Sequence, residues 1–273
     1  MVVTRDTLLE EGGPGSEFIF SIVPRAVTND GEHGYTDGVM AKIYAGTSGW
    51  SYSSWKPEFY PAKLASAKFL DFYAARLNSV EVNYTFRRFA TESLLARWIS
   101  ATPADFKFAV KAHQMITHIK RLRETGEWMT RFAESVQPLA EANRLGPILF
   151  QLPPYLRCDL ELLTNFLDEI PRSLRAAFEF RHESWFCEDV FAALRRKNSA
   201  LCEAESEKIE TPDVETADFA YLRLRREGYS AKAREAIAGK VKRLAKRGDV
   251  FVYFKHEDTP DGALYAEELL GRK

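Results

Sequence analysis

Two glutamates in this sequence have the placement that acid–base chemistry requires, because each lies at the end of a short apolar segment. Glu179 precedes Arg181 by two residues; a neighbouring guanidinium lowers a carboxyl pKa by roughly 1–3 units, so we expect Glu179 to be ionised. Glu81 has no cation in its own segment, so burial could raise its pKa, which makes it the better candidate acid. His113 and Arg181 would orient the substrate or stabilise charge. The alternatives are a structural Glu179–Arg181 ion pair and an ordinary loop histidine.

A second group of polar and aromatic side chains lies at or just after the ends of the same segments. Arg225 and Lys255 would bind an anion, and the tryptophans could stack on a sugar or a base. The alternatives are solvated surface charge and aromatic core packing. His118, beside Thr117, is interpreted as structural. The predicted substrate-binding residues are Ser48, Trp50, Asn83, Lys111, Gln151, His182, Trp185, Arg225 and Lys255.

Motifs for cofactors and metals are missing from the sequence. It contains no G-x-G-x-x-G after a strand, no P-loop motif and no H-E-x-x-H, so we predict no metal site and leave the cofactor unknown. The net charge of −1 gives no global attraction to nucleic acid or to an anionic membrane. The basic run at 240–247 alternates with apolar residues and is interpreted as the solvated face of a helix. A small-molecule ligand is therefore the expected partner, and the oligomeric state stays open.

The cysteines and the hydropathy pattern predict a cytoplasmic protein. Cys158, Cys187 and Cys202 form no C-x-x-C pair, which is typical of a reducing compartment. Every apolar run is broken by charge well short of the roughly 18 residues that a membrane span needs. The N-terminus lacks the charge order of a secretion signal.

These candidate residues are positioned by a repeated alternation of strands and helices. Short β-branched or aromatic runs predict eight strands, of which the sixth has the weakest pattern. Eight such units favour an α/β fold of the (β/α)8 TIM-like barrel type, whose active sites lie at the carboxyl ends of the strands. The predicted strands are Lys42–Gly46, Ser79–Asn83, Phe106–Lys111, Pro147–Gln151, Ala176–Phe180, Ala200–Cys202, Phe219–Leu224 and Val250–Phe254.

Amphipathic stretches between the strands predict the outer helices. The clearest cover Ala65–Leu77, Trp128–Leu145 with Gly146 as its stop, Leu160–Ile170 ending before a proline, and Arg234–Arg247 with Ser230 as the N-cap. The glycine-rich stretch 1–39 lacks such periodicity. We therefore predict a poorly ordered or mis-annotated N-terminal extension at 1–39, Met40 as the natural start, and a single barrel domain at 40–273.

Several ordered motifs resemble those of the YecE-like family, a domain-of-unknown-function family. The resemblance covers about residues 42–270 and implies a TIM-type barrel with no established activity. The chain departs from the family pattern at Arg87, at Arg225-Arg226 and at 254–257. These departures suggest a subgroup with more positive charge at the carboxyl ends of the barrel strands. The motifs are GTSGW at 46–50, FYP at 59–61, VEVN at 80–83, TH at 117–118, LFQLPP at 149–154, and FEFRH at 178–182 followed by Trp185.

Three functions are compatible with these residues. The first is a small-molecule enzyme that uses acid–base chemistry on a sugar-like or phosphorylated metabolite, with Glu81 and Glu179 handling protons. Glycoside hydrolysis is one form of this chemistry, but it is disfavoured because the second and fifth strands are expected to hold the two carboxyls too far apart. The second function is a ligand-binding module without turnover. The third, nucleic-acid processing, ranks last.

Overall fold

The structure is a computed structural model that describes residues 41–272. The predictions made for residues 1–39, and for Met40 as the natural start, lie outside the described residues. No helix among the described residues is long and apolar enough to cross a membrane.

Eight parallel strands form a near-closed barrel, which confirms the predicted TIM-like fold. The strand order is β1-β8-β7-β6-β5-β4-β3-β2, so each strand pairs with its neighbours in sequence, as expected for consecutive βα units. All eight strands were predicted, including the sixth, with bounds that differ by two residues or fewer. The strands are β1 Ile43–Thr47, β2 Ser79–Val82, β3 Lys107–Lys111, β4 Leu145–Gln151, β5 Ala176–Glu179, β6 Ala200–Ala204, β7 Phe219–Leu224 and β8 Asp249–Phe254.

Helices cover the barrel after every strand except β6. The predicted N-cap Ser230 is confirmed, since its hydroxyl accepts a hydrogen bond from the backbone N–H of Ala233 (3.2 Å). Eight complete strand–helix units were predicted, and here the prediction is wrong: the described residues 205–218 contain no helix. The helices are α1 Phe69–Arg76, α2 Glu92–Ser100, α3 Gly126–Glu141, α4 Leu160–Glu169, α5 Glu188–Arg196, α6 Ala231–Leu244 and α7 Asp261–Leu269.

The end of α3 differs from the prediction, which carried the helix to Leu145 and made Gly146 its stop. The helix ends at Glu141, because Asn143 adopts the left-handed conformation (φ 54°) that terminates helices. Gly146 instead lies within β4. A Cβ at Gly146 would lie 3.2 Å from the backbone of Ala109 on β3, so glycine permits close approach of the two strands there.

The barrel closes between β1 and β2 mainly through side chains. Among the described residues, backbone hydrogen bonding between the two strands is limited to the carboxyl end, where Ser48 bridges to Glu81 and Gly49 N–H donates to the Glu81 carbonyl (2.8 Å). Further down, the Asn78 side chain accepts from Ala45 N–H (2.9 Å) and donates to the Ile43 carbonyl (2.8 Å). These bonds satisfy backbone groups that a regular ladder would otherwise pair.

The barrel interior is filled unevenly around its circumference. The strands β3, β5 and β6 contribute alanines, whereas β1, β7 and β8 contribute large aromatic rings. Small side chains opposite large ones leave room for the rings along the barrel axis. Above these rings the inward positions become polar, and this upper layer forms the candidate site. The interior cluster comprises Tyr44, Ala109, Leu149, Ala177, Ala200, Cys202, Ala204, Phe219, Tyr221, Phe251 and Tyr253.

Candidate functional site at the barrel mouth

A connected polar network occupies the carboxyl ends of the strands. Lys111 Nζ donates to Gln151 Oε1 (2.7 Å), and Gln151 Nε2 donates to Glu179 Oε1 (2.8 Å). Arg223 then bridges the two glutamates: its Nη1 donates to Glu179 and its Nη2 donates to Glu81. The structure therefore brings together four of the predicted site residues through one arginine that the predicted set did not include. We call these five residues the mouth network.

Strand register explains why Arg223 can span the barrel. Its partner in the ladder on β6 is Ala204, which offers only a methyl group at that level. The space left by this small residue lets the guanidinium reach the glutamates of β2 and β5. Arg223 and both glutamates are at most 2% exposed, and buried charges of this kind are normally paired.

Glu81 is held in the ionised form, so the expectation that burial would raise its pKa is wrong. It accepts hydrogen bonds from Ser48 (2.5 Å), Tyr221 (2.7 Å) and Arg223 (2.7 Å). Burial raises the pKa of the Glu81 carboxyl, but the charge of Arg223 and these hydrogen bonds outweigh burial and lower it overall. The cation that the segment itself lacks is supplied from the opposite side of the barrel.

Glu179 is ionised as predicted, but through different partners. Arg223 and Arg225 bind its carboxylate, with Arg225 Nη2 at 2.8 and 3.0 Å from the two oxygens. Burial raises the pKa of Glu179, and the two arginines more than offset that effect, so the net shift is downward. Arg181 makes no ion pair with it, because Arg181 lies beyond the strand end and is exposed. The expected Glu179–Arg181 ion pair is therefore wrong.

The two carboxylates do not fit the arrangement for glycoside hydrolysis. They were expected to lie too far apart, yet Glu81 and Glu179 share the single guanidinium of Arg223. That guanidinium occupies the space where a glycosidic bond would have to lie between a general acid and its partner. Since both groups are ionised, neither supplies the proton that a leaving group needs.

Lys111 is the one cation of the mouth network with no carboxylate partner among the described residues. Its amine donates to the neutral amide of Gln151 and lies 4.2 Å from the centroid of the Phe86 ring. No acidic group among the described residues lies within 4 Å of this amine, because the nearby carboxylates are bound by arginines. Burial, followed by the charge of Arg223, lowers the pKa of Lys111 to about 8. Such an amine exchanges its proton close to neutral pH.

The loop after β3 places His118 beside this lysine. Met115–Ile119 forms one π-helical turn, and residues Arg121, Leu122 and Glu124 follow with positive φ angles of 52°, 67° and 49°. Left-handed conformations are costly for such residues and are often found at functional sites. The His118 ring contacts the same Phe86 ring edge-on (4.9 Å).

Two cationic side chains, Lys111 and Arg181, act on His118 in that loop. Burial lowers the pKa of the half-buried His118, and the positive charges of Lys111 and Arg181 lower it further. Lys111 and Arg181 therefore both act electrostatically on His118. No carboxylate among the described residues pairs with Lys111 or Arg181 within 4 Å. The interpretation of His118 as merely structural missed this placement.

Three predicted residues lie outside the mouth network as packing residues. His113 is buried and stacked against Phe89 (4.7 Å) and Trp128 (5.6 Å), and its Nδ1 accepts from the backbone N–H of Met115 (3.2 Å). Trp185 is fully buried, stacked on an aromatic ring and hydrogen-bonded to a backbone carbonyl, so its faces are not available to a ligand. Trp50 packs edge-on against another tryptophan.

The other predicted substrate-binding residues are spread around the rim. Ser48 belongs to the site through its bond to Glu81. Asn83 is half-buried directly after β2. His182 caps a short turn by accepting from Ser184 N–H (3.1 Å), and Lys255 is 42% exposed with a distant acidic neighbour (3.8 Å). Neither His182 nor Lys255 bonds to the mouth network in the structure.

A cleft of about 950 Å³ opens where the helix after β6 is missing. It is lined by residues 203–211 and 225–227, and one of these, Arg225, is bound to Glu179 of the mouth network. Glu205 fixes one wall by accepting from the backbone N–H groups of Arg225 (2.7 Å) and Arg226 (3.1 Å). Within residues 41–272, no cluster of three or more His, Cys, Asp or Glu side chains could hold a metal ion.

The predicted set missed Arg223, Tyr221 and His118. Arg223 and Tyr221 could have been found from the period of two along β7, since they share the inward face with Arg225. His118 had no such signal, because its position depends on the π-helical turn.

Eight parallel strands around a polar mouth define this molecule as a TIM-like barrel protein. The chain belongs to the family described as "Protein of unknown function DUF72", whose family model matches residues 44–273, and the predicted YecE-like resemblance is confirmed.

The chain is similar to UPF0759 protein YunF of Bacillus subtilis (strain 168), with 32% identity over 154 residues, covering 53% of this chain and 52% of YunF. It is also similar to UPF0759 protein YecE of Escherichia coli (strain K12), with 32% identity over 145 residues, covering 53% and 50%. The chain thus spans about half the length of the curated relatives it matches.

Among solved structures, a DUF72 family protein from Thermotoga maritima superimposes with a TM-score of 0.75 at 27% identity, covering 84% of this chain and 98% of that one.

Proposed function

We propose that this protein is a small-molecule enzyme that performs acid–base chemistry at the barrel mouth, with Lys111 as the group that gains and loses the proton. One observation carries the proposal: among residues 41–272, the Lys111 amine is hydrogen-bonded only to a neutral amide, in a network whose carboxylates are bound by arginines. A lysine with its pKa lowered to about 8 holds both protonation states near neutral pH. Glu81 and Glu179 serve as fixed negative charges.

The substrate class follows from the charges around the lysine. Lys111 and Arg181 provide positive charge on one side of the mouth, which favours a phosphorylated metabolite over a neutral sugar. Arg225, bound to Glu179, lies at the edge that opens into the cleft. The three free thiols support the cytoplasmic setting that the sequence predicts.

A thermal-shift screen of phosphorylated metabolites and their unphosphorylated analogues tests the proposal. A ligand present at about 100 times its Kd stabilises the folded state by about 2.7 kcal/mol. We expect phosphorylated compounds to stabilise the protein and any resulting turnover to be lost in Lys111→Met. Turnover that persists in Lys111→Met would overturn the role of the amine.

A ligand-binding module without turnover is the second candidate. It is favoured by the tight hydrogen bonding of both glutamates, which leaves little proton-transfer capacity besides Lys111. The two functions differ in one result: a binder retains all of the bound ligand unchanged over time, whereas the enzyme converts it.

Nucleic-acid processing gains no support from the basic run of α6. Lys240 bonds to Glu203 (2.6 Å), and Arg243 and Arg247 bond to Asp213 (2.8 Å) and Glu215 (2.7 Å). Acidic neighbours therefore offset the charge of this helix face.

A further inference from the structure

Lys111 has the surroundings of a nucleophilic amine as well as those of a proton carrier. A lysine attacks a carbonyl only in its neutral form, and burial near other cations is the usual way in which proteins favour that form. Charged groups face it from several elements. Arg223 and Arg225 approach from β7 and its end, Glu179 from β5 and Glu81 from β2, and burial has the largest effect on its pKa.

Lys107, at the opposite end of the same strand, provides a comparison. Burial and neighbouring arginines also lower the pKa of Lys107. Its amine, however, donates to the backbone and side-chain oxygens of Asn143 (2.7 and 2.9 Å), at the end of the barrel away from the mouth network. The two lysines share a strand, partial burial and a lowered pKa, and they differ in location and neighbours.

We propose that Lys111 forms an imine with a carbonyl-bearing, anionic small molecule in the barrel mouth. This inference rests on the proposed function, because it names the covalent step and the substrate class for the same site. The ligand's anionic group would bind toward Arg181, which is exposed and has no carboxylate partner within 4 Å in the described part of the chain. Its carbonyl carbon would face the Lys111 amine.

The step balances without any further reactant. The neutral amine of Lys111 adds to the carbonyl carbon, and the carbonyl oxygen takes up a proton to give a carbinolamine. Loss of the remaining N–H proton and of hydroxide, together one water, leaves the C=N bond. Gln151 accepts a hydrogen bond from the amine and so orients its nitrogen. Hydrolysis reverses the reaction and regenerates the lysine.

Reductive trapping with two aldehydes tests this proposal on the full chain. Pyridoxal phosphate and pyridoxal share the carbonyl group and differ in the phosphate, and borohydride supplies hydride that fixes any imine as a stable amine. Peptide mapping by mass spectrometry then identifies the labelled lysines. We expect Lys111 to be labelled ahead of Lys107 and of the exposed lysines near pH 8.

The phosphate should increase labelling of Lys111 roughly tenfold, because a charged hydrogen bond contributes enough energy for that preference. Arg181→Gln should remove this preference while leaving labelling by pyridoxal unchanged. Lys111→Arg keeps the positive charge and should abolish the labelled peptide. Its melting temperature serves as the check that the protein is folded.

Labelling spread evenly over the lysines, or Lys107 labelled as fast as Lys111, would overturn the imine. Inorganic phosphate, used alone in a thermal-shift assay, separates this failure from failure of the proposed function. Stabilisation by phosphate that is lost in Arg181→Gln, without trapping, leaves anion binding at the mouth intact and rejects the imine. Neither stabilisation nor trapping would reject both.

Discussion

Replacing Arg223 by methionine removes the guanidinium that joins Glu81 to Glu179 and leaves a buried carboxylate without its cation. Glu81 is fully buried and retains only Ser48 and Tyr221 as partners, whereas Glu179 keeps Arg225. Removing one partner of a buried ion pair costs about 3–5 kcal/mol. For a domain of this size, that corresponds to a fall in melting temperature of roughly 6–20 °C.

The pH dependence of the stability of Arg223→Met gives a sharper test than the size of its stability loss at one pH. In the native protein the pKa of Glu81 is lowered, so its stabilising contribution is present above the unfolded-state pKa of about 4.3 and is lost as the pH falls below it. In Arg223→Met, burial without the cation should raise that pKa above the unfolded value. The folded variant then binds more protons than the unfolded chain, so its stability should rise as the pH falls from 7 to 5.

Urea unfolding at pH 7, 6 and 5 measures both effects. Arg247→Met is the matched control, since it makes the same substitution in an ion pair with Glu215 in which the arginine is 71% exposed. Exposed pairs contribute about 0.2–1 kcal/mol. The reasoning fails if Arg223→Met loses no more stability than Arg247→Met, or if its deficit does not shrink as the pH falls.

Other substitutions test the barrel seam and the lysine. Asn78→Ala should cost about 2–4 kcal/mol in urea unfolding, because two backbone groups of β1 lose their partners; a loss under about 0.5 kcal/mol would contradict this closure. Gly46→Ala would place a Cβ 1.8 Å from the Ser79 carbonyl oxygen, so we expect a loss of about 3 kcal/mol or more and little folded protein by circular dichroism. The lowered pKa of Lys111 means that the folded chain releases this proton before the unfolded chain does, so we expect the stability of the native protein to rise between pH 8 and 10. Lys111→Met should lose this rise, and equal pH profiles of the two proteins would refute the lowered pKa.

Local sequence patterns were sufficient to predict the barrel. Each strand has its own apolar run, and Ser230 has the hydroxyl and spacing of an N-cap, so short-range physics specifies these features. The failures came where a backbone conformation overrides the pattern. Asn143 ends α3 early by adopting a positive φ angle, and residues 205–218 cross from β6 to β7 without forming a helix.

The mouth network was only partly predictable, because its chemistry depends on contacts across the barrel. The period of two placed Glu81 and Glu179 on inward faces, and the structure brings both into the network. Their protonation could not be read from neighbouring residues. Arg223 lies 142 positions from Glu81 in sequence and reaches it only because Ala204 leaves room. Sequence proximity suggested Arg181 as the partner of Glu179, and that was wrong.

The charges of the mouth also constrain how a ligand would lie. Glu81 and Glu179 carry two negative charges and Arg223 and Arg225 two positive ones, so these four cancel, and Lys111 and Arg181 provide the remaining positive charge. An anionic group placed directly on Lys111 would raise the pKa of its amine and favour the protonated form, which cannot attack a carbonyl. Imine formation therefore requires the ligand's anionic end to bind away from Lys111, toward the exposed end of the loop, with the carbonyl placed inward. A compact ligand whose charge and carbonyl are adjacent should react more slowly than a longer one in which they are separated.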